Sequence, residues 1–160
     1  WLTSYSLYAD SLARWFNDTV DPDWSALRGR LMKVLQDESE LEEIVKMVGM
    51  DALSAVDRLT LEVARSIRED YLHQNAFHET DTYTSLKKQC LLMKLIFEYY
   101  DRAGEALQKG ADINALVAMP SRERIGRFKY TAEDALNAEY DAIVGEITAE
   151  TAEIIERGDD

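Results

Sequence analysis

The stretch SLKKQCLLMKLIFEYYDRAGEALQK, residues 85–109, decides the fold. Leu86, Cys90, Met93, Phe97 and Tyr100 recur at intervals of three and four, the spacing that stacks side chains on one face of an α-helix. Leu91, Leu92, Leu95, Ile96 and Tyr99 fill the remaining directions, so this helix is apolar around most of its circumference. Such a helix needs cover on several sides, which places it at the centre of a helical bundle.

Towards the C-terminus, Gly110 stops the central helix, a short helix is predicted from Asp112 to Ala118, and Pro120-Ser121 opens another turn through Ile125. A last helix is predicted from Thr131, with Leu136, Tyr140, Ile143, Ile147 and Ile154 as a narrow stripe on an acidic, alanine-rich rod. Residues 1–130 are therefore read as the core, and 131–160 as a C-terminal helix, peripheral or frayed before Asp160.

Towards the N-terminus, residues 73–84 lack a helical stripe and read as an ordered loop between two patterned helices. Before it, Ser54 and Asp57 have capping-box spacing, and Val56, Leu59, Val63, Ile67 and Tyr71 form the buried side of a helix. Gly49 ends the preceding helix, which starts at Asp21-Pro22, where aspartate can accept from free amides and proline loses nothing at the first position. Along it Leu27, Leu31, Val34, Leu41, Val45 and Val48 keep a seven-residue rhythm whose missing member is Glu38. At about 40 Å, this helix exceeds what one compact layer needs, so a bend or a projecting end is expected at the acidic run 36–40. A first helix is predicted over Thr3–Thr19, with Leu7, Leu12, Trp15 and Phe16 on its apolar side. The fold class is all-α: a bundle of five to six helices with a helix-turn-helix tip and a long C-terminal helix.

Composition narrows the function. A net charge of −13 opposes nucleic-acid binding, and no apolar run approaches the roughly 20 residues of a bilayer crossing. Trp1-Leu2-Thr3 reads as the interior of a longer sequence. The single Cys90 cannot form an internal disulfide and reads as a small buried hydrophobe, since neither histidine is near it in sequence. No glycine-rich phosphate loop is present. His73 and His78 are five apart, and Asp70 with His73 is the nearest approach to a Glu-x-x-His pair, so neither a zinc nor a two-metal carboxylate site is expected. No residue of this stretch is assigned as catalytic or as a metal ligand.

Two stretches carry a family resemblance: LEEIVKMVGMDALSAVDRLTLEVARSIREDYLHQNAF at 41–77, and WLTSYSLY at 1–8 with the following DPDW at 21–24. With RERIGRFKY at 122–130, they resemble the C-terminal part of the catalytic A subunit of archaeal-type and vacuolar-type ATPases, over about residues 1–130. Gly49–Asp57, GMDALSAVD, also resembles the GMDELSEED segment of the F-type ATP synthase β subunit, where a helix-turn-helix meets the rotating central stalk. Asp51, Leu53, Ser54 and Asp57 match, while the three glutamates become Ala52, Ala55 and Val56.

The resemblance implies a coupling domain of a rotary ATP synthase that follows a nucleotide-binding domain. ATP or ADP with Mg would be bound by the whole subunit and no cofactor by this stretch. Implied partners are the B subunits, the central-stalk subunits and the upstream nucleotide-binding domain of the same chain. The complex would sit peripherally on the cytoplasmic face of the cell membrane. Met50, Asp51, Leu53, Ser54 and Asp57 would touch the stalk, unless the turn is only a glycine stop and a capping box. Gln74, Asn75, Ala76 and Phe77 would form one wall of the adenine pocket, unless Phe77 merely plugs its loop onto the core. The rival readings are a free-standing acidic helical interaction module and a carboxylate-bridged metalloenzyme.

Overall fold

The computed structural model describes residues 8–158, which form seven α-helices and no strand. At the centre is α4 (Leu86–Gln108), capped by the Ser85 hydroxyl, which accepts from the Lys88 amide at 3.0 Å. Cys90, Leu92, Met93, Leu95, Ile96, Phe97 and Tyr99 are all buried, so α4 is covered around most of its girth, as the spacing predicts. Burial pushes the Cys90 thiol up to about 11, which suits an inert packing residue.

Around α4 pack α1 (Ala9–Thr19), α2 (Trp24–Val48), α3 (Ala55–Ser66), α5 (Ile113–Val117), α6 (Pro120–Arg127) and α7 (Leu136–Gly158). The predicted start of the first helix and the end beyond Gly158 lie outside the described residues. Gly49 and Gly110 adopt φ values of +88° and +89° after α2 and α4, the backbone region that made glycine the expected stop.

Helix α2 begins at Trp24, two residues later than Pro22 suggested. The Asp21 carboxylate accepts from a free amide as expected, that of Asp23 at 3.0 Å just ahead of the helix, and also from the Lys94 ammonium of α4 at 2.6 Å. Trp24 stacks on Phe16, with ring centroids 4.9 Å apart, and joins α1 to α2. The break in the heptad is also explained. Glu38 is buried and accepts a forked set of bonds from Arg68, at 2.8 Å from Nη2 and 3.1 Å from Nε. A carboxylate is tolerated there because a guanidinium thirty residues away in sequence neutralises it. Beyond Glu40 the helix projects from the core, and Ile44, Met47 and Val48 are exposed.

The C-terminal helix corrects the sequence reading twice. It starts at Leu136, because Phe128–Tyr130 forms a 3-10 turn and Thr131 is extended. Glu133, in the turn between, is drawn to α4, where it accepts from Ser85 at 2.8 Å and pairs with the buried Lys88 ammonium at 3.2 Å. Nor is the helix peripheral. Leu136, Ile143 and Ile147 are fully buried along α4, and Arg124 of α6 reaches both Glu139 and Glu146. Glu150 accepts from the amide and hydroxyl of Ser121, supplying the first turn of α6 with an anion from another helix.

Candidate functional site

Two features stand at opposite ends of one helical run. The run is α3 continued by a π-helical turn, Ile67–Leu72, about 25 Å in all. Leu59, Val63, Ala64 and Ile67 bury one side of it completely.

At its N-terminal end is the tip between α2 and α3. Ser54 and Asp57 form the reciprocal capping box: the Asp57 amide donates to Ser54 Oγ at 3.1 Å, and the Ser54 amide donates to the Asp57 carboxylate at 3.3 Å. These two residues therefore hold the turn. Met50 and Asp51 are exposed in a short 3-10 turn, and Leu53 is half-buried beneath them. Sequence periodicity assigned Val48 and Val56 to buried stripes, yet they are 63% and 54% exposed, and Met47 beside them is 76% exposed. Among the described residues nothing covers them. With Met50 and Ile44 they make an uncovered apolar knob, a feature that usually marks a contact surface.

At the other end, the π turn releases the chain into the loop of residues 73–84. Asp81, only 2% exposed, is the hub: its carboxylate accepts from the Asn75 amide at 2.6 Å, and its carbonyl accepts from Gln74 Nε2 at 2.5 Å. Asn75 Oδ1 accepts from the Phe77 amide at 3.0 Å, and the Ala76 carbonyl accepts from Thr82 Oγ1 at 2.9 Å. His78 Nδ1 accepts from the amides of Thr80 and Asp81. Gln74, Asn75 and Ala76 are thus spent on shaping the loop. Phe77 is left 99% exposed, so it does not plug the loop onto the core. Tyr83, a second exposed aromatic on the loop, had no sequence signal beyond its ring.

Behind the loop is a cavity of about 300 Å³ lined by Asp70, His73, Gln74, Asp81, Gln89 and Lys129 among others. Gly126 of α6 faces Asp70, and a Cβ there would stand 2.9 Å from the carboxylate. Burial raises the Asp70 carboxyl above its ordinary value of 3.8, with Glu69 adding to the rise and Ser66, Lys129 and Arg122 opposing it. The folded state therefore holds this proton more tightly than the unfolded chain. Stability falls as pH rises from 3.8 through the raised value and stays lower above it. Asp70→Asn is expected to raise the melting temperature near neutral pH, with the gain shrinking at about pH 4. Thermal unfolding at both pH values checks this, and a variant less stable than the parent at neutral pH would contradict it.

Among the described residues no three His, Cys, Asp or Glu side chains come together as a metal site, and no helix is long and apolar enough to cross a membrane.

Residues 13–117 match the family described as the C-terminal domain of V and A type ATP synthase. The chain is also 53% identical over 155 residues to the V-type ATP synthase alpha chain of Acetivibrio thermocellus, an alignment covering 97% of this chain and 26% of that one. The chain belongs to this ATP synthase C-terminal domain family. The alpha chain of Clostridioides difficile is 51% identical over 98% of this chain and 26% of its own, and that of Thermoanaerobacter pseudethanolicus 51% identical over 99% and 27%. The chain thus spans about a quarter of the length of the relatives it matches. Within this C-terminal domain family the match runs from α1 to the end of α5, so it includes both the tip and the Phe77 loop.

Proposed function

We propose that the chain is the coupling domain of the catalytic A subunit, or alpha chain, of a rotary V/A-type ATP synthase. ATP or ADP with Mg binds chiefly to an upstream nucleotide-binding domain of the same subunit. This domain lends Phe77 as one wall of the adenine pocket and presses its apolar tip on the central stalk. B subunits flank it in the ring, and the complex sits on the cytoplasmic face of the cell membrane, where rotation is tied to ion transport.

The observation that carries this reading is the single helical run from Ala55 to Leu72, with an uncovered apolar knob at one end and an uncovered aromatic at the other. Interiors packed at crystal-like density transmit displacement with little compression, and the buried side of this run makes it a stiff lever. Alignment with alpha chains over 97–99% of this chain favours the reading over a free-standing interaction module.

The tip is expected to act by apolar contact, since the glutamates of the F-type segment are absent here. In the assembled complex, Leu53→Asp is expected to lower rotation-coupled ATPase about tenfold, the loss of a buried contact residue at an interface. Asp51→Ala, which removes only an exposed charge, should stay within about twofold. Coupled hydrolysis and ion transport measured on both variants test this, and the reverse order sinks the steric account.

A further inference from the structure

RERIGRFKY ends in a 3-10 turn, Phe128–Tyr130, that touches the nucleotide loop at two places although it lies more than forty residues further along the chain. The π turn stops at Leu72, so the carbonyls of its last residues have no onward helical partner. Lys129, 7% exposed, fills that role: its ammonium donates to the carbonyl of His73 at 3.2 Å and of Glu69 at 3.4 Å. Tyr130 lies against the ring of His78, centroids 4.3 Å apart, and His78 Nδ1 in turn holds the amides of Thr80 and Asp81. One contact governs the direction in which the chain leaves the helix; the other braces the far limb of the loop.

We propose that Lys129 and Tyr130 are positioning residues for Phe77, the ammonium capping the π turn and the phenol ring backing His78 so that the loop presents the phenyl ring in one place. This rests on the reading of Phe77 as a wall of the adenine pocket. The loop's own hydrogen bonds are local and would survive a swing of the whole loop about His73. Among the described residues the turn after α6 ties it to the rest of the domain on this side, whereas Gln89 ties its exit through the Thr84 carbonyl. A lysine is suited to this place because its donors can rotate to serve two carbonyls at once.

The test uses the full subunit in its assembled complex and compares Lys129→Met, Lys129→Arg, Tyr130→Ala and Phe77→Ala. Methionine keeps the apolar stem, and the cavity of about 300 Å³ has room for water to satisfy the two freed carbonyls, so folding is expected to survive. Lys129→Met should raise the KM for ATP about tenfold with kcat held within about twofold, the signature of a misplaced binding group. Hydrogen exchange at the Asn75, Phe77 and Asp81 amides should quicken about tenfold. Tyr130→Ala, at an exposed residue, should move both readouts the same way by less, and Lys129→Arg should restore most of the loss.

Faster loop exchange with an unchanged KM in the Lys129 and Tyr130 variants, while Phe77→Ala raises it, overturns the positioning roles and leaves the adenine-wall reading intact. An unchanged KM in Phe77→Ala overturns that reading and this inference with it. If Lys129→Met does not assemble, Tyr130→Ala decides by the same two readouts.

Discussion

Phe77→Ala in the assembled enzyme is expected to raise the KM for ATP by about tenfold to a hundredfold, consistent with the ~1–3 kcal/mol that stacking an aromatic ring on a base contributes. The fold should not notice. Phe77 is 99% exposed and its backbone, not its ring, takes part in the loop's hydrogen bonds, so the melting temperature should shift by less than about 1 °C. That separation of effects makes the experiment informative, because a core aromatic cut to alanine loses stability first and affinity only as a consequence. Phe77→Tyr, which keeps the ring, should bind ATP nearly as the parent does. ATP turnover against concentration, with calorimetry alongside, gives both quantities. An unchanged KM would remove the nucleotide role from this loop and leave Phe77 as an exposed apolar residue awaiting another partner.

Ile147→Ala is expected to destabilise the domain by about 2–5 kcal/mol, a large share of the ~5–15 kcal/mol that holds a typical domain together. Ile147 is fully buried between α7 and the central α4, and its neighbours on the same stripe, Ile143 and Leu136, are equally covered. The stripe is narrow, which in sequence suggested a helix docked by one edge. What the stripe does not display is the polar framework beside it: Arg124 spanning Glu139 and Glu146, and Glu150 accepting from Ser121. These pairs align the helix so that its few large side chains enter the core in register. Urea unfolding should show one transition moving to lower midpoint in Ile147→Ala, and Glu156→Ala, at an exposed position of the same helix, should leave it within about 0.5 kcal/mol. Two separated transitions, with the first alone shifted, would show that the helix melts as its own unit.

Several features could be read from local spacing because their causes are local. The stops at Gly49 and Gly110, the capping box at Ser54 and Asp57, and the central place of α4 each depend on residues within four or five positions of one another. The roles given to the tip and to Phe77 rest on resemblance, whereas the loop's ordered character follows from its lack of a stripe between two strong helices. Its internal design was not legible. That Asp81 would be its hub, bonded by the Gln74 side chain and the Asn75 backbone amide, depends on how the chain closes on itself.

Sequence alone determined where the long helices run and which side of each is apolar, since backbone propensity and side-chain period act over single turns, while the starts of α2 and α7 moved to Trp24 and Leu136 and the π turn Ile67–Leu72 carried no local signal. Tertiary structure alone decided how far that apolar side is covered: Val48 and Val56 continue buried stripes but emerge at the tip because no described helix lies across from them. It also decided which charges enter the core. Glu38 and Lys88 are buried because Arg68 and Glu133, distant along the chain, arrive beside them, and that arrival is a property of packing that no local period contains.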